Sequence, residues 1–168
     1  VGAYANAKSL KMKTLDDLKT LKDHGLGIVY LGLETGDDVT LNKIRKGATS
    51  EQMIHMGKKA KAAGIKLSIT VLLGIAGKTR SKIHARETGR VLSAIDPEYI
   101  GALSLMLIPG TPLYQDYVSG DFTLLKPDEM LYELNQAREM LFKELPESEA
   151  TRKVSATFNN LVRRWVDL

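Results

Sequence analysis

The sequence predicts an α/β fold in which parallel strands alternate with helices. Three apolar runs of strand length, at residues 28–33, 67–73 and 99–107, recur at intervals of roughly thirty to forty residues. The stretches between them show the three- and four-residue apolar spacing of amphipathic helices. Strand–helix–strand order of this kind is typical of right-handed crossovers and predicts a parallel sheet. Small and polar residues follow each run, so we expect a ligand site at the rim formed by the carboxyl ends of the strands.

Length and composition indicate a soluble globular domain. The chain of 168 residues is long enough for one substantial core, with 43% hydrophobic and 26% charged residues. The net charge is +4, but Lys and Arg are interleaved with Asp and Glu, which is typical of solvated helix faces rather than of a nucleic-acid groove. No apolar run approaches the roughly 20 residues that span a bilayer. We therefore expect a cytoplasmic chain without a membrane segment, and the absence of an initial Met indicates a piece of a longer protein.

The first predicted elements are a strand in residues 1–5 and a helix that Thr14 opens. Apolar residues repeat at three-residue spacing in this helix, and Gly25 follows its last turn. The strand over residues 28–33 comes next. It leads into a short helix over residues 37–44, whose first two residues are aspartates that favour a helix start.

The next helix begins with a capping box formed by Thr49 and Gln52, and Gly64 follows its end. The strand over residues 67–73 then places apolar side chains on one face and a mixed set on the other. We expect helices to cover both of its faces, as in other parallel sheets. Five methionines, at positions 53, 56, 106, 130 and 140, are expected to fill the core.

The remainder of the chain is predicted as a helix over residues 79–95, a strand over residues 99–107 and two further helices. The first of these runs from Pro127 to residue 145, with proline at the first helical position, and the second covers residues 154–165. The elements fall into two parts. We predict an α/β domain over residues 1–125 and a helical segment over residues 126–168 that packs on it.

A loop between a strand and a helix can hold a phosphate, and the segment from Gly74 to Thr79 occupies that position. A phosphate-binding loop of the type G-x-x-x-x-G-K-[ST] needs a glycine five residues before Gly77, where this chain has Leu72. The spacing therefore argues against a nucleotide triphosphate loop. The glycines are better explained by a backbone that approaches a ligand or turns a corner.

Five segments in chain order resemble the landmarks of radical S-adenosylmethionine (SAM) enzymes, in particular of the Elp3, MiaB and NifB-like group. The family patterns are G-x-E-[ST]-G, "inK-G", "aGi", "GlpGet" and "PGTPL". The matching segments are Gly32-Leu33-Glu34-Thr35-Gly36, Ile44-Arg45-Lys46-Gly47, Ala63-Gly64-Ile65, Leu73-Gly74-Ile75-Ala76-Gly77 and Pro109-Gly110-Thr111-Pro112-Leu113. The resemblance covers about residues 1–115. Ala76 and Lys78 depart from the proline and glutamate that are common in the family.

The resemblance implies a partial (βα)6, TIM-like barrel that binds SAM and a [4Fe-4S] cluster at its carboxyl rim. This chain would supply the third to sixth strands, at residues 1–5, 28–34, 67–74 and 99–107. By resemblance, six residues would bind SAM, and no catalytic residue or metal ligand is predicted. Glu34 and Thr35 would meet its polar ribose or methionyl end, Gly74 and Ile75 would lie beside the adenosine, and the backbone of Met106 and Leu107 would meet the adenine edge.

The part of the family fold that holds the cluster is missing from this sequence. The chain contains no cysteine, so the C-x3-C-x2-C loop of the family is absent and no thiolate can bind the cluster. We therefore predict a fragment of a radical SAM enzyme that is inactive alone. Its partners would be SAM and the N-terminal part of the barrel.

Two other functions remain open at this stage. The chain could be a non-catalytic half barrel that binds a partner or forms a homo-oligomer through its open strand edges. It could also be a different (βα)-barrel enzyme in which Gly74 to Thr79 binds a phosphate. Single residues could also have purely structural roles: Glu34 could cap the helix that follows it. The three histidines, at positions 24, 55 and 84, lie on separate helices without metal-ligand spacing.

Overall fold

The fold is a four-stranded parallel sheet with helices, seen in a computed structural model that describes residues 1–144. Strand order in the sheet follows chain order, β1-β2-β3-β4. The strands are β1 (Gly2–Ala5), β2 (Ile28–Glu34), β3 (Lys66–Leu73) and β4 (Tyr99–Ser104). The helices are α1 (Ala7–Lys11), α2 (Leu15–Asp23), α3 (Asp38–Lys43), α4 (Ser50–Ala62), α5 (Gly77–Ile95), α6 (Pro112–Ser119) and α7 (Pro127–Glu144). The predicted parallel α/β architecture is confirmed.

The strands pair in a regular register that is interrupted once, near the end of β2. Ile28 lies opposite Lys66, and Gly32 lies opposite Thr70. Glu34 then lies opposite Val71, so one residue of β2, Leu33, bulges out of the pairing. A bulge bends a strand and redirects the side chains that follow it. It occurs here at the carboxyl rim, where the ligand site is expected.

Side-chain caps determine where three of the predicted helices begin. The hydroxyl groups of Thr14 and Thr49 accept hydrogen bonds from the amides of Asp17 and Gln52, and both form capping boxes. The carboxylate of Asp37 accepts hydrogen bonds from two amides at the start of α3. These starts agree with the predictions. Helix α5 begins two residues earlier than predicted, at Gly77.

The hydrophobic core lies on one side of the sheet, between the strands and the helices. Leu31, Leu67 and Ile69 point to this side and are fully buried. The other face carries side chains such as Tyr30 and Leu103, which remain exposed. The expectation that both faces would be covered is therefore wrong for the described residues. The mixed pattern of β3, with Ser68, Thr70 and Leu72 on this face, is the pattern of a half-solvated sheet face.

The last strand is shorter than predicted, because the chain leaves the sheet after Ser104. Leu105 still donates a hydrogen bond to the carbonyl of Leu73, but Met106 and Leu107 belong to a loop rather than to a strand. The Met106 side chain is 80% exposed, so its assignment to the core is also wrong. The apolar run continues past the strand because these residues form the wall of a cleft, described below.

Two short helices were not predicted. Helix α1 begins at the Asn6 cap, which forms a capping box with Ser9, and α6 begins at the Thr111 cap with Pro112 at its first position. Helix α7 begins at Pro127 as expected. The predicted helix over residues 154–165 lies outside the described residues. Within residues 1–144, no helix is both long enough and apolar enough to cross a membrane.

Candidate functional site

A cleft of about 300 Å³ lies at the carboxyl rim of the sheet. Its walls come from the turn after β3, the loop after β4, the end of α3 and the start of α6. The lining residues are Lys43, Ile44, Arg45, Ile75, Leu105, Met106, Leu107, Ile108, Thr111, Pro112, Leu113 and Asp116. An ion pair of 2.9 Å between Lys43 Nζ and the Asp116 carboxylate joins the α3 and α6 walls. Three of the six predicted site residues, Ile75, Met106 and Leu107, therefore line one cleft.

Glu34 ends β2 beside this region with its carboxylate turned back over the strand. Its Oε1 lies 2.9 Å from Nζ of Lys46, and both side chains are partly buried. Gly32 makes room for this arrangement, because a Cβ atom there would lie 2.4 Å from the Glu34 Oε1 atom. Asp37, and not Glu34, caps the following helix. Lys46 directly follows the Lys43–Arg45 segment that lines the cleft; the sequence placed it in a family landmark, but it was not among the predicted site residues.

The Thr35 side chain is fully buried and does not line the cleft. Its Oγ1 accepts a hydrogen bond from the Asp37 amide at 3.0 Å and lies 2.7 Å from Nδ1 of His84 in α5. Thr35 thus connects the turn after β2 to helix α5. Neither Thr35 nor its neighbour Glu34 is among the residues that line the cleft.

Gly74 turns the chain at the end of β3 and packs against helix α7. Its φ of +83° is a conformation that favours glycine, and a Cβ atom there would lie 2.9 Å from the Met130 side chain. Its amide donates a hydrogen bond of 2.7 Å to Oε1 of Glu133 in α7. The following residue, Ile75, is the one that lines the cleft.

A buried polar network connects the turn after β2 to the turn after β3. Glu133 accepts hydrogen bonds from the Gly74 amide and the Ser81 hydroxyl, and its Oε1 lies 3.3 Å from Nε2 of His84. Burial lowers the pKa of the His84 imidazole to about 4, so the ring is neutral at pH 7. Burial also raises the pKa of the Glu133 carboxyl. A neutral ring that carries its proton on Nε2 donates to Glu133 and accepts from the Thr35 hydroxyl at Nδ1.

Asp37 forms a second buried ionic group just behind the rim. Its carboxylate accepts two hydrogen bonds of 2.8 Å from the Arg80 guanidinium and one from the Thr40 hydroxyl. Burial acts to raise the pKa of this carboxyl, but the bonds from Arg80 and Thr40 outweigh it and lower the pKa to about 2. The pair fixes the start of α3 against α5.

The start of α5 is covered rather than open to an anion. The Lys78 amide donates to the carbonyl of Thr123, and the Gly77 amide donates to that of Gly74. The Phe122 ring packs on Gly77, where a Cβ atom would lie 2.9 Å from the ring. A phosphate at this turn would have to displace these contacts, which argues against the phosphate-binding alternative.

Sequence reasoning missed His84 and Glu133, although each carries a detectable signal. Both lie on the apolar stripe of their helices: Glu133 falls between Met130 and Ala137, and His84 falls four residues before the buried Thr88. A charged or polar residue at a core-facing position requires a buried partner. The identity of that partner cannot be derived from spacing, because the contacts join distant parts of the chain.

Comparison with known families supports the fold. The family model described as the radical SAM superfamily matches residues 4–86. A second model, the PKHD-type hydroxylase C-terminal domain, matches residues 129–167, less than a quarter of the chain and largely outside the described residues. The first match contains the end of β1, all of β2 and β3, and the first part of α5.

Two similar proteins come from archaea. An uncharacterized protein of Methanocaldococcus jannaschii, MJ0486, is 26% identical over 123 residues, which is 73% of this chain and 38% of that protein. An uncharacterized methyltransferase of Pyrococcus horikoshii, PH0819, is 28% identical over 106 residues, which is 63% of this chain and 23% of that protein. The chain thus spans well under half the length of these relatives.

Three solved structures share the fold, and one of them, HemN, is described as a radical SAM enzyme. Elp3 of Methanocaldococcus infernus superposes with a TM-score of 0.67 and 17% identity, over 87% of this chain and 33% of that one. Coproporphyrinogen III oxidase (HemN) of Escherichia coli gives a TM-score of 0.63 at 13% identity over 85% and 32% of the two chains. The hydrogenase maturase HydG gives 0.56 at 17% identity over 84% and 30%. The family-model match over residues 4–86, the parallel sheet and these superpositions show that the chain has a radical SAM superfamily fold and carries part of its TIM-like barrel.

Proposed function

We propose that the rim cleft, together with the Glu34–Lys46 pair, forms part of the SAM site of a radical SAM enzyme. The observation that carries this proposal is the combination of a largely aliphatic cleft with a paired carboxylate and ammonium at the end of β2. The two features suit the two ends of one ligand.

The cleft suits a flat base because it combines aliphatic walls with accessible main-chain groups. Ile75 and Leu107 provide apolar surface, and the backbone of Met106 and Leu107 has left the sheet, where it could hydrogen-bond a base edge. We place the adenosine here, with Met106 and Leu107 at the adenine edge. Gly74 contributes by turning the chain so that Ile75 reaches the cleft.

The Glu34–Lys46 pair suits the amino-acid end of SAM. An α-amino acid group carries an ammonium and a carboxylate, and each can exchange places with one member of a protein ion pair. Glu34 would bind the ammonium or the ribose hydroxyls, and Lys46 would bind the carboxylate. Thr35 would act through the backbone turn that it anchors, because its side chain is buried.

The residues present do not fit the [4Fe-4S] cluster of the family. Thiolates hold such clusters, and this chain contains none. No chemical step can be assigned to the cluster on the residues of this chain. We infer that another segment of a longer protein supplies the cluster ligands and the remaining barrel strands, and that this chain alone is inactive.

Calorimetric titration with S-adenosylhomocysteine and with SAM tests the proposal. We expect heat of binding with both ligands, and we expect Glu34→Gln to weaken binding about tenfold or more, because a charge-assisted hydrogen bond contributes about 1.5–3 kcal/mol. Glu51→Gln is the matched control, since Glu51 is an exposed carboxylate on α4 that pairs with Arg90. Absence of heat with either ligand, or equal losses in the two variants, would contradict the assignment.

An oligomerisation module is the second candidate, and the open side of the sheet favours it. Strands β1 and β4 each have one unpaired edge within the described residues, and exposed tyrosines stand on the uncovered face. Such surfaces favour association with another chain or with the rest of a barrel. The two candidates are compatible, because the rim cleft lies at the strand ends and not on this face.

A further inference from the structure

Helix α7 contributes one acidic side chain to the interior of the molecule. Glu133 is only 1% exposed, although its neighbours on the same face, Met130, Leu134 and Ala137, are apolar core residues. Burying a carboxylate is costly unless hydrogen bonds compensate, and an apolar residue of similar size would pack in its place without that cost. Three groups face the Glu133 carboxylate: the Gly74 amide, the Ser81 hydroxyl and the His84 ring. Their positions indicate its structural role.

The partners of Glu133 lie on the elements that build the cleft. Its Oε1 accepts the Gly74 amide at 2.7 Å, one residue before Ile75 reaches the cleft wall. Its Oε2 accepts the Ser81 hydroxyl of α5. The Met130 side chain of α7 also packs on Gly74, so this one helix holds the turn through both a polar and an apolar contact.

The same carboxylate reaches the turn after β2 through a second side chain. His84 Nε2 lies 3.3 Å from Glu133 Oε1, and Nδ1 of the ring lies 2.7 Å from the hydroxyl of Thr35. Thr35 directly follows Glu34, whose backbone has the uncommon φ of 64°. The chain Gly74–Glu133–His84–Thr35 therefore spans both turns that the proposed site uses.

We propose that Glu133 is a positioning residue of the cofactor site, which holds the turn after β3 by its Gly74 amide and the turn after β2 through His84 and Thr35. This inference rests on the proposed SAM site for its ligand. It assigns to α7, which lies wholly beyond the matched residues 4–86, a role in shaping the cleft. Glu133 does not line the cleft, so its effect on a ligand is indirect.

Amide hydrogen exchange at Gly74, read by NMR, is combined with the affinity for S-adenosylhomocysteine to test this role. In Glu133→Gln one neutral oxygen must serve donors that two carboxylate oxygens served, so we expect Gly74 to exchange about tenfold faster and affinity to fall about tenfold, the lower end of losses for outer-shell partners. Glu133→Asp keeps the negative charge but moves the carboxylate away from its donors by the length of one methylene group. We expect the same faster exchange at Gly74 and the same loss of affinity. Thermal unfolding of each variant is measured in parallel.

Two controls separate positioning from general loosening. Glu129→Gln neutralises a partly exposed carboxylate of α7 that pairs with Lys78, and Ser81→Ala removes a partner of Glu133 that is not on a cleft turn. We expect both to retain Gly74 protection and affinity. Unchanged Gly74 exchange in both Glu133 variants, or equal losses in Ser81→Ala, would overturn the inference. If Gly74 responds but the unaltered chain binds neither SAM nor S-adenosylhomocysteine, the proposed function fails while the control of the turn stands.

Discussion

Glu34 shows how a single residue can be held in an unfavourable conformation for a purpose. A non-glycine residue at φ 64° costs of order 1 kcal/mol or more, and such strain occurs preferentially at ligand sites. The bulge at Leu33, the missing Cβ at Gly32 and the Lys46 ammonium together hold this conformation. Glu34 could adopt a relaxed backbone conformation only by moving its carboxylate away from Lys46 and breaking the ion pair.

The His84 imidazole makes stability depend on pH, in a direction that follows from its pKa. The folded pKa is about 4 and the ordinary value is 6.5, so the unfolded chain binds a proton first as the pH falls. This contribution is complete above pH 6.5 and is lost between pH 6.5 and 4. Glu133, whose pKa burial raises, acts in the opposite direction. We therefore expect the free energy of unfolding to be about 1–2 kcal/mol lower at pH 5 than at pH 7.

Urea unfolding at the two pH values measures this difference. His84→Gln, which does not titrate, is expected to be less stable at pH 7 but to lose less stability between pH 7 and 5. His24→Gln is the control, because His24 is an exposed residue at the end of α2 and its substitution should leave the pH dependence unchanged. An identical pH dependence in His84→Gln and the unaltered chain would contradict the assignment.

At the scale of elements, helices α5 and α7 approach each other closely at Gly89. A Cβ atom on Gly89 would lie 2.6 Å from Cβ of Met140 and 2.8 Å from the carbonyl oxygen of Ala137. Backbone and Cβ atoms cannot yield as the end of a flexible side chain can. The close approach brings α7 near enough for Glu133 to reach the network around His84.

Gly89→Ala should therefore destabilise the protein, although alanine is the better helix former by about 1 kcal/mol. We expect a net loss of about 1–3 kcal/mol from overpacking, seen as a lower urea midpoint. Gly101→Ala is the matched control, since the nearest neighbouring atom is 4.0 Å from the added Cβ. A Gly89→Ala protein more stable than the unaltered chain would show that the two helices can separate without cost.

Strands and helix starts could be predicted from the sequence because they depend on local patterns. The runs that begin at Ile28 and Leu67 alternate with capped helices, and Thr14 and Thr49 cap helices where expected. The loop at Met106 was misassigned, since an apolar cleft wall and a buried strand have the same composition. The His84–Glu133 contact could not be predicted, because it joins residues 49 positions apart through packing alone.

At the scale of the whole molecule, the described structure is a sheet with helices on one face and tyrosines on the other. Tyr4, on edge strand β1, is 91% exposed, and the centroid of its ring lies 5.2 Å from the ring centroid of Tyr30. Edge strands with apolar side chains favour pairing with other chains. The free edge of β1 would pair with a preceding strand if this chain is part of a longer barrel.

Light scattering after size-exclusion chromatography measures the resulting association. We expect the unaltered chain to form dimers or larger species as its concentration rises, and Tyr4→Lys to shift it toward the monomer, because a charged side chain on an edge opposes pairing. Lys11→Ala, a change at an exposed residue of α1, is expected to leave association unaltered. If the unaltered chain stays monomeric at all concentrations, the proposed function as an oligomerisation module is excluded.

The order of the strands also has a consequence for how this piece of barrel forms. Each strand pairs with the one that precedes it in the chain, with Gly2 opposite Ile28, Ile28 opposite Lys66 and Ser68 opposite Tyr99. Every pairing thus closes a loop of 26 to 38 residues, so no strand has to wait for a more distant part of the chain before it can pair. The sheet can therefore form in the direction of synthesis, one β-α unit after another. Helix α7, which follows β4 in the chain, then packs on the turn after β3 and fixes its position and, through His84, that of the turn after β2.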